Sequence, residues 1–110
     1  MIIKEKISKE EFDKLFNAFY GTVLKMTVDI EKNILSAGCE FHIECSEELV
    51  EKESSEQKNL WGANLYRKDM SIDYNSLINI KPMENNRSME IQDSAIKQRV
   101  EKIIKDLLCN

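Results

Sequence analysis

Residues 38–48, "GCEFHIECSEE", hold the chain's single histidine between two glutamates, with two of its three cysteines alongside. These side chains could do chemistry. An imidazole with carboxylates two residues away on each side suits zinc, manganese or iron, and a carboxylate beside it could orient it as a general base. Which residues can act together depends on the element that carries them. The segment alternates apolar and polar residues, as a strand does, so Glu40, His42 and Glu44 are expected in one row on one face. Cys39, Phe41, Ile43 and Cys45 then face the core, where cysteine behaves as a small hydrophobe. That separation counts against a catalytic Cys–His pair. One histidine makes a thin ligand set, and an acidic strand face is commonly just solvated. The expectation is therefore no cofactor, with Glu40, His42 and Glu44 as the residues that would hold a divalent metal if one bound.

The same polar face collects further candidates. A hairpin closing over Glu31–Asn33 places Asp29 and Glu31 beside Glu40 and His42, and Asn64 and Asn79 could join from a second hairpin. "NNRS" at 85–88 offers Arg87 as a clamp for a carboxylate or phosphate, against the simpler reading of a structural loop. Gly62, in "WGAN", reads as a bulge or a close packing contact.

Stepping along the chain, "MIIKEKI" is a short first strand at about residues 2–7. "SKEE" is a capping box, Ser8 and Glu11 each satisfying the other's backbone. Phe12, Leu15, Phe16 and Phe19 then recur at helical spacing, and Gly21 suits a left-handed stop. From Thr22 the period becomes two: Leu24, Met26, Val28 and Ile30 alternate with polar residues. Ile34–Cys45 is expected to run back as the partner strand, Ser46 to cap a single helical turn, and 51–59 to be an exposed loop. "LWGANLY" is a further strand with Trp61, Ala63 and Leu65 on one face. "SIDYNSLINIKP" is the last, with Ile72, Tyr74, Ile78 and Ile80 on one side. A final helix starts at Asp93 with a stripe of Ile96, Val100, Ile103, Ile104 and Leu107. The order β-α-β-β-β-β-α predicts a single α+β domain over residues 1–110, a mostly antiparallel sheet in two layers with both helices on one face. The other face is left to solvent or a partner.

The chain has 110 residues and a formal net charge of −4. Without a basic stripe, nucleic acid is not expected as a partner. No apolar run nears the ~20 residues of a membrane span, and Lys4, Glu5 and Lys6 interrupt any signal-peptide core. The expected location is the cytoplasm, where thiols stay reduced. Three cysteines with no C-x-x-C spacing speak against a disulfide framework or a thiolate zinc site.

"VDIEKNILSAGCEFH", "NLWGANLY", "SLINIKP" and "NRS", in this order, resemble a domain-of-unknown-function family of small bacterial proteins. The likeness spans nearly the whole chain and touches Asp29, Glu31, Gly38, Glu40, His42, Glu44, Trp61, Gly62, Asn64, Ser76, Asn79, Pro82, Asn86, Arg87 and Ser88. The chain departs at Cys39, where the family pattern has glycine, at Lys81, where it has arginine, and at Asn85, where it has glycine. The last two departures count against an anion clamp. The family has no established activity, so the resemblance implies one compact domain and no particular reaction. Size, acidity and the lack of a credible catalytic set lead to a protein-binding or regulatory module: an antitoxin, an inhibitor or a subunit. It would use the acidic sheet face or a sheet edge to meet a partner or a second copy. The alternative is a metal-assisted hydrolase centred on Glu40, His42 and Glu44.

Overall fold

In a computed structural model, which describes residues 1–109, the second strand of the chain is the hub of the sheet. Strand β2 (Val23–Asp29) pairs antiparallel with β3 (Ile34–Ala37) on one side and with β4 (Leu60–Tyr66) on the other. Two-residue strands β1 (Ile2–Ile3) and β5 (Ile72–Asp73) close the edges, giving the order β1-β3-β2-β4-β5. Every pairing is antiparallel, so the α+β class expected from the sequence holds.

The two faces of this sheet are chemically different. Leu24, Met26 and Val28 of β2, Leu35 and Ala37 of β3, and Trp61, Ala63 and Leu65 of β4 share one face. They bury it against helix α1 (Lys9–Ala18) and helix α3 (Ser94–Leu108) through Leu15, Phe16, Val100, Ile103, Ile104 and Leu107. Both helices begin as the sequence predicts. Ser8 Oγ accepts from the Glu11 N–H at 3.1 Å while Glu11 accepts from the Ser8 N–H at 3.3 Å. Asp93 accepts from the N–H groups of Ala95 and Ile96. Gly21 stops the first helix at φ +74°, its N–H donating to the Phe16 carbonyl.

The opposite face departs from the two-layer expectation, because a third helix, α2 (His42–Glu53), lies across it. The strand expected to run from Ile34 to Cys45 ends at Ala37, and Gly38 turns the chain at φ +82°. Residues 39–45 satisfy two periods at once. The odd residues alternate as a strand, yet His42, Cys45, Ser46 and Leu49 fall at i, i+3, i+4 and i+7. Over seven residues neither pattern excludes the other; the glycine breaks the strand and the helix prevails. Residues 51–53, expected in a loop, finish that helix.

Beneath α2, only Ile34, Leu49 and Leu60 form an apolar cluster. Cys45 of α2 is buried as well, and the polar groups of the layer are paired. Thr27 Oγ1 donates to the His42 carbonyl at 2.9 Å and accepts from Ser46 Oγ at 3.3 Å. Ser36 Oγ donates to Glu48 at 2.7 Å, and Ser55 Oγ to Asp29 Oδ2 at 2.6 Å. A buried polar group without a partner costs several kcal/mol, and these pairs remove that cost.

The segment expected as the last strand is mostly not one. After β5 the chain makes 3-10 turns at Leu77–Asn79 and Pro82–Glu84. Side-chain amides replace a ladder here. Buried Asn79 accepts from the Gly62 N–H at 2.7 Å and donates to the carbonyls of Gly62, Tyr74 and Met89 at 3.0–3.1 Å. Buried Asn86 donates to the carbonyls of Asn79, Ser88 and Glu90. A further correction concerns the cysteines: Cys39 and Cys45 are joined as a disulfide, Cα–Cα 6.0 Å, where their number and spacing speak against one. A loop-and-turn geometry no spacing rule captures brings them together.

Candidate functional site

The N-terminus of α2 stands over β4, and that contact builds the one place where the predicted polar residues meet. His42 Nε2 lies 2.9 Å from Asn64 Oδ1 and 3.1 Å from the Ala63 carbonyl. Asn64 is oriented by its own amide, which donates to the Asn75 carbonyl at 3.2 Å and toward Asp73 at 3.4 Å. Its oxygen therefore faces His42. Both partners of Nε2 are acceptors, so Nε2 carries the proton and shares it between them. Nδ1 keeps its lone pair in the neutral ring and makes no hydrogen bond among the described residues. Burial pushes the His42 pKa below its ordinary value, outweighing the opposing effect of the hydrogen bonds to Ala63 and Asn64. Near neutral pH the ring is an uncharged acceptor on a fixed tautomer.

This ring borders a groove of about 330 Å³ lined by Lys25, Glu40, Phe41, Ile43, Asn64, Asn75, Ser76, Leu77, Ile78 and Met89 as well as His42. Its rim is apolar and open to solvent: Phe41 is 65% and Leu77 72% exposed, and Ile43 and Met89 are exposed too. Phe41 and Ile43, expected in the core, project outward here because helix α2 replaces the strand. The floor depends on a glycine. A Cβ on Gly62 would sit 2.5 Å from both Cβ and Oγ of Ser76 and 3.2 Å from His42 Cδ2. Only a residue without a side chain lets Ser76 and His42 close on β4, which agrees with the packing role expected for Gly62.

The remaining candidates serve other ends. Asp29 is buried; its Oδ1 accepts from the N–H groups of Glu31 and Lys32 and shapes the β2–β3 turn. Glu31 is exposed in that turn. Glu44 accepts from the Phe41 N–H at 2.9 Å and caps α2. Glu40 lies on the groove rim, while Asn79 is buried in structural bonds. Arg87 is exposed; its backbone N–H donates to Gln92, and its side chain makes no hydrogen bond or ion pair among the described residues. The row of Glu40, His42 and Glu44 is thus not formed, since the last two sit on a helix. No group of three or more His, Cys, Asp or Glu side chains converges as a metal-ligand set among the described residues.

Ser76, which entered only through the family likeness, and Lys25 and the apolar rim were not among the residues expected to form a site. The available signal was Ser76 before "LIN": its Oγ accepts from the Ile78 N–H and starts the 3-10 turn that carries Leu77 outward.

A family model described as "Protein of unknown function (DUF5674)" matches residues 1–107. No curated protein and no solved structure matches the chain. No helix among the described residues is long and apolar enough to cross a membrane.

Proposed function

This chain belongs to the DUF5674 family of proteins of unknown function, and on that premise we propose that it is a small protein-binding module whose recognition surface is the His42 groove. The reading keeps the regulatory or subunit-like role expected from the sequence and moves its surface. The acidic sheet face cannot serve, because α2 covers it. Both sheet edges are two-residue strands, too short to template a partner strand.

One observation carries the proposal: a solvent-open apolar rim of Phe41, Ile43, Leu77 and Met89 surrounds convergent polar groups. Apolar walls with a few placed hydrogen-bonding groups are the usual make-up of a binding site. Large exposed apolar side chains clustered in one place also mark interaction surfaces. The occupant that fits is an apolar side chain of a partner protein with an adjacent N–H or O–H donor. The apolar group would fill the groove and the donor would meet His42 Nδ1. Neutral His42 accepts that bond; protonation would turn the acceptor into a donor and weaken binding.

The test is a photo-reactive residue placed at Leu77 in cells, with the same residue at exposed Lys14 as control. A discrete adduct from position 77, lost in Phe41→Asp and not seen from position 14, supports the reading. An adduct pattern identical at both positions refutes it. An adduct of twice the chain mass would identify the partner as a second copy.

A further inference from the structure

The Cys39–Cys45 disulfide encloses the five residues 40–44, and four of them, Glu40, Phe41, His42 and Ile43, line the groove. We propose that Cys39 and Cys45 are a reversible oxidation site whose state sets the order of the groove wall, and that its preferred reactants are cationic or neutral small disulfides and thiols. The regulatory half of this inference rests on the groove being the recognition surface; the redox half does not.

The ring closes at a vulnerable joint. Cys39 lies between the end of β3 and the helix, and Cys45 is in the first turns of α2. Apart from the disulfide, the start of α2 is held by buried Ser46, whose Oγ donates to Thr27, and by four further hydrogen bonds. Glu44 accepts from the Phe41 N–H, Thr27 Oγ1 donates to the His42 carbonyl, and His42 donates to Ala63 and Asn64. Helix ends fray because their first N–H groups lack intrahelical partners. A covalent tie across that end removes open conformations; its loss returns them. Phe41 itself is 65% exposed, so packing holds it only in part.

Cys39 and Cys45 are both buried, 8% and 1% exposed, so Cys39 is the sulfur a reagent would meet first as the helix end opens. Both cysteines line a cavity of about 370 Å³, which shares Glu40 with the groove. Its other walls include Met1, Phe19, Ser36, Gly38, Glu40, Glu44 and Glu48. The charged groups that line this cavity are three carboxylates and the Met1 ammonium, which lies 3.4 Å from Glu48, while Lys25 touches Cys39 through its backbone carbonyl. Lys52 approaches the far oxygen of Glu48 at 3.5 Å and is exposed. The mouth is net acidic, so an anionic reagent is repelled and a cationic one attracted, as steering across any charged cleft requires.

The chemistry balances as thiol–disulfide exchange. A thiolate of the reduced pair attacks one sulfur of a small disulfide R–S–S–R, expels RS⁻ and leaves a mixed disulfide. The second cysteine, as thiolate, attacks the protein sulfur of that intermediate and expels the second RS⁻, closing the Cys39–Cys45 bond. Two electrons pass to the small disulfide, and the two protons lost by the cysteines end on the two RSH products. Reduction is the reverse.

The test uses the full chain with Cys109→Ser, which removes the third thiol. The protein is equilibrated with cystamine and cysteamine over a range of ratios, its free thiols are alkylated, and masses are read on the intact chain. The expected result is a direct passage from two free thiols to none. Hydrogen exchange of amides 40–46 should speed up about tenfold or more on reduction while α1 and α3 change little. Oxidation by cystamine, a dication, should outpace glutathione disulfide by about tenfold at low ionic strength, per unit of reacting thiolate, with the gap shrinking in ~1 M salt. A Cys39→Ser/Cys45→Ser variant should exchange as the reduced protein does; the wild-type comparison stands without it. Two free thiols at the highest oxidant ratio, mixed disulfides only, unchanged exchange at 40–46, or global unfolding on reduction would each overturn the proposal. Cross-linking from position 77 in the oxidised and reduced protein separates the two readings. Loss of the adduct in both states sinks the groove while leaving the oxidation site standing.

Discussion

Replacing Gly62 with alanine adds one methyl group, and the structure says where it must go. Gly62 is central in β4 and pairs with Thr27 of β2, so the strand is held in place and the loop above it must yield. The new Cβ would lie 2.5 Å from two atoms of Ser76, well inside van der Waals contact, and Ser76 is buried with its N–H bonded to the Met89 carbonyl. Moving Ser76 outward also pulls Asn79 from the backbone N–H and carbonyl of Gly62. Over-packing of this kind costs roughly 1–3 kcal/mol, and one weakened buried hydrogen bond adds about 1 kcal/mol. The expected total is about 2–4 kcal/mol, a large share of the ~5–15 kcal/mol typical of a domain. Urea unfolding followed through Trp61, the only tryptophan, should show a midpoint lower by about 1–3 M. Ser76→Gly removes both close atoms. In the double variant it should recover at least about 1 kcal/mol of the loss, measured as a coupling energy. A Gly62→Ala unfolding free energy within about 0.5 kcal/mol of wild type, or a coupling energy of zero, would refute the close approach of Ser76 to β4 and the packing of the groove floor.

Other outcomes follow from the same contacts. Asn79→Ala leaves the Gly62 N–H and three carbonyls to find new partners in a buried setting, and should cost about 2–4 kcal/mol in the same urea assay; a cost below ~1 kcal/mol would mean the loop is not pinned there. His42 titrates below its ordinary value of about 6.5 in the fold. Between its folded pKa and 6.5 the unfolded chain binds a proton that the folded chain does not, so stability is full above about 6.5 and falls as pH drops through that window. Urea midpoints from pH 7 to 5.5 should fall more steeply in wild type than in His42→Gln, and equal slopes would contradict the buried neutral ring. The lowered carboxyl pKa of Glu48, held down chiefly by its hydrogen bond from Ser36, acts in the same direction at more acid pH, so it does not confuse the comparison. Arg87→Ala should change the unfolding free energy by less than about 0.5 kcal/mol, since its side chain is exposed and unpaired among the described residues; a larger loss would mean that the side chain is held by a contact in solution.

Where the sequence pattern was long, it sufficed. The capping box at Ser8, the stripes of α1 and α3, and the alternation along β2 and β4 each span enough residues for only one period to fit. They determined the α+β class and the fully apolar face of the sheet. The family likeness, carried on residues from Asp29 to Ser88, belongs on the same side, since it too was legible in the chain alone. Tertiary structure decided the opposite face. Residues 39–45 fit a strand and a helix equally well, and the choice fell to Gly38, whose left-handed backbone ends β3, and to the buried polar layer that rewards His42, Ser46 and Glu48 for sitting on a helix. That choice turned Phe41 and Ile43 outward, dissolved the expected Glu-His-Glu row and brought Cys39 to Cys45. The loop after β5 was illegible for a related reason. Its order comes from Asn79 and Asn86 satisfying backbone groups far along the chain, and no local spacing records which carbonyls a buried amide will reach.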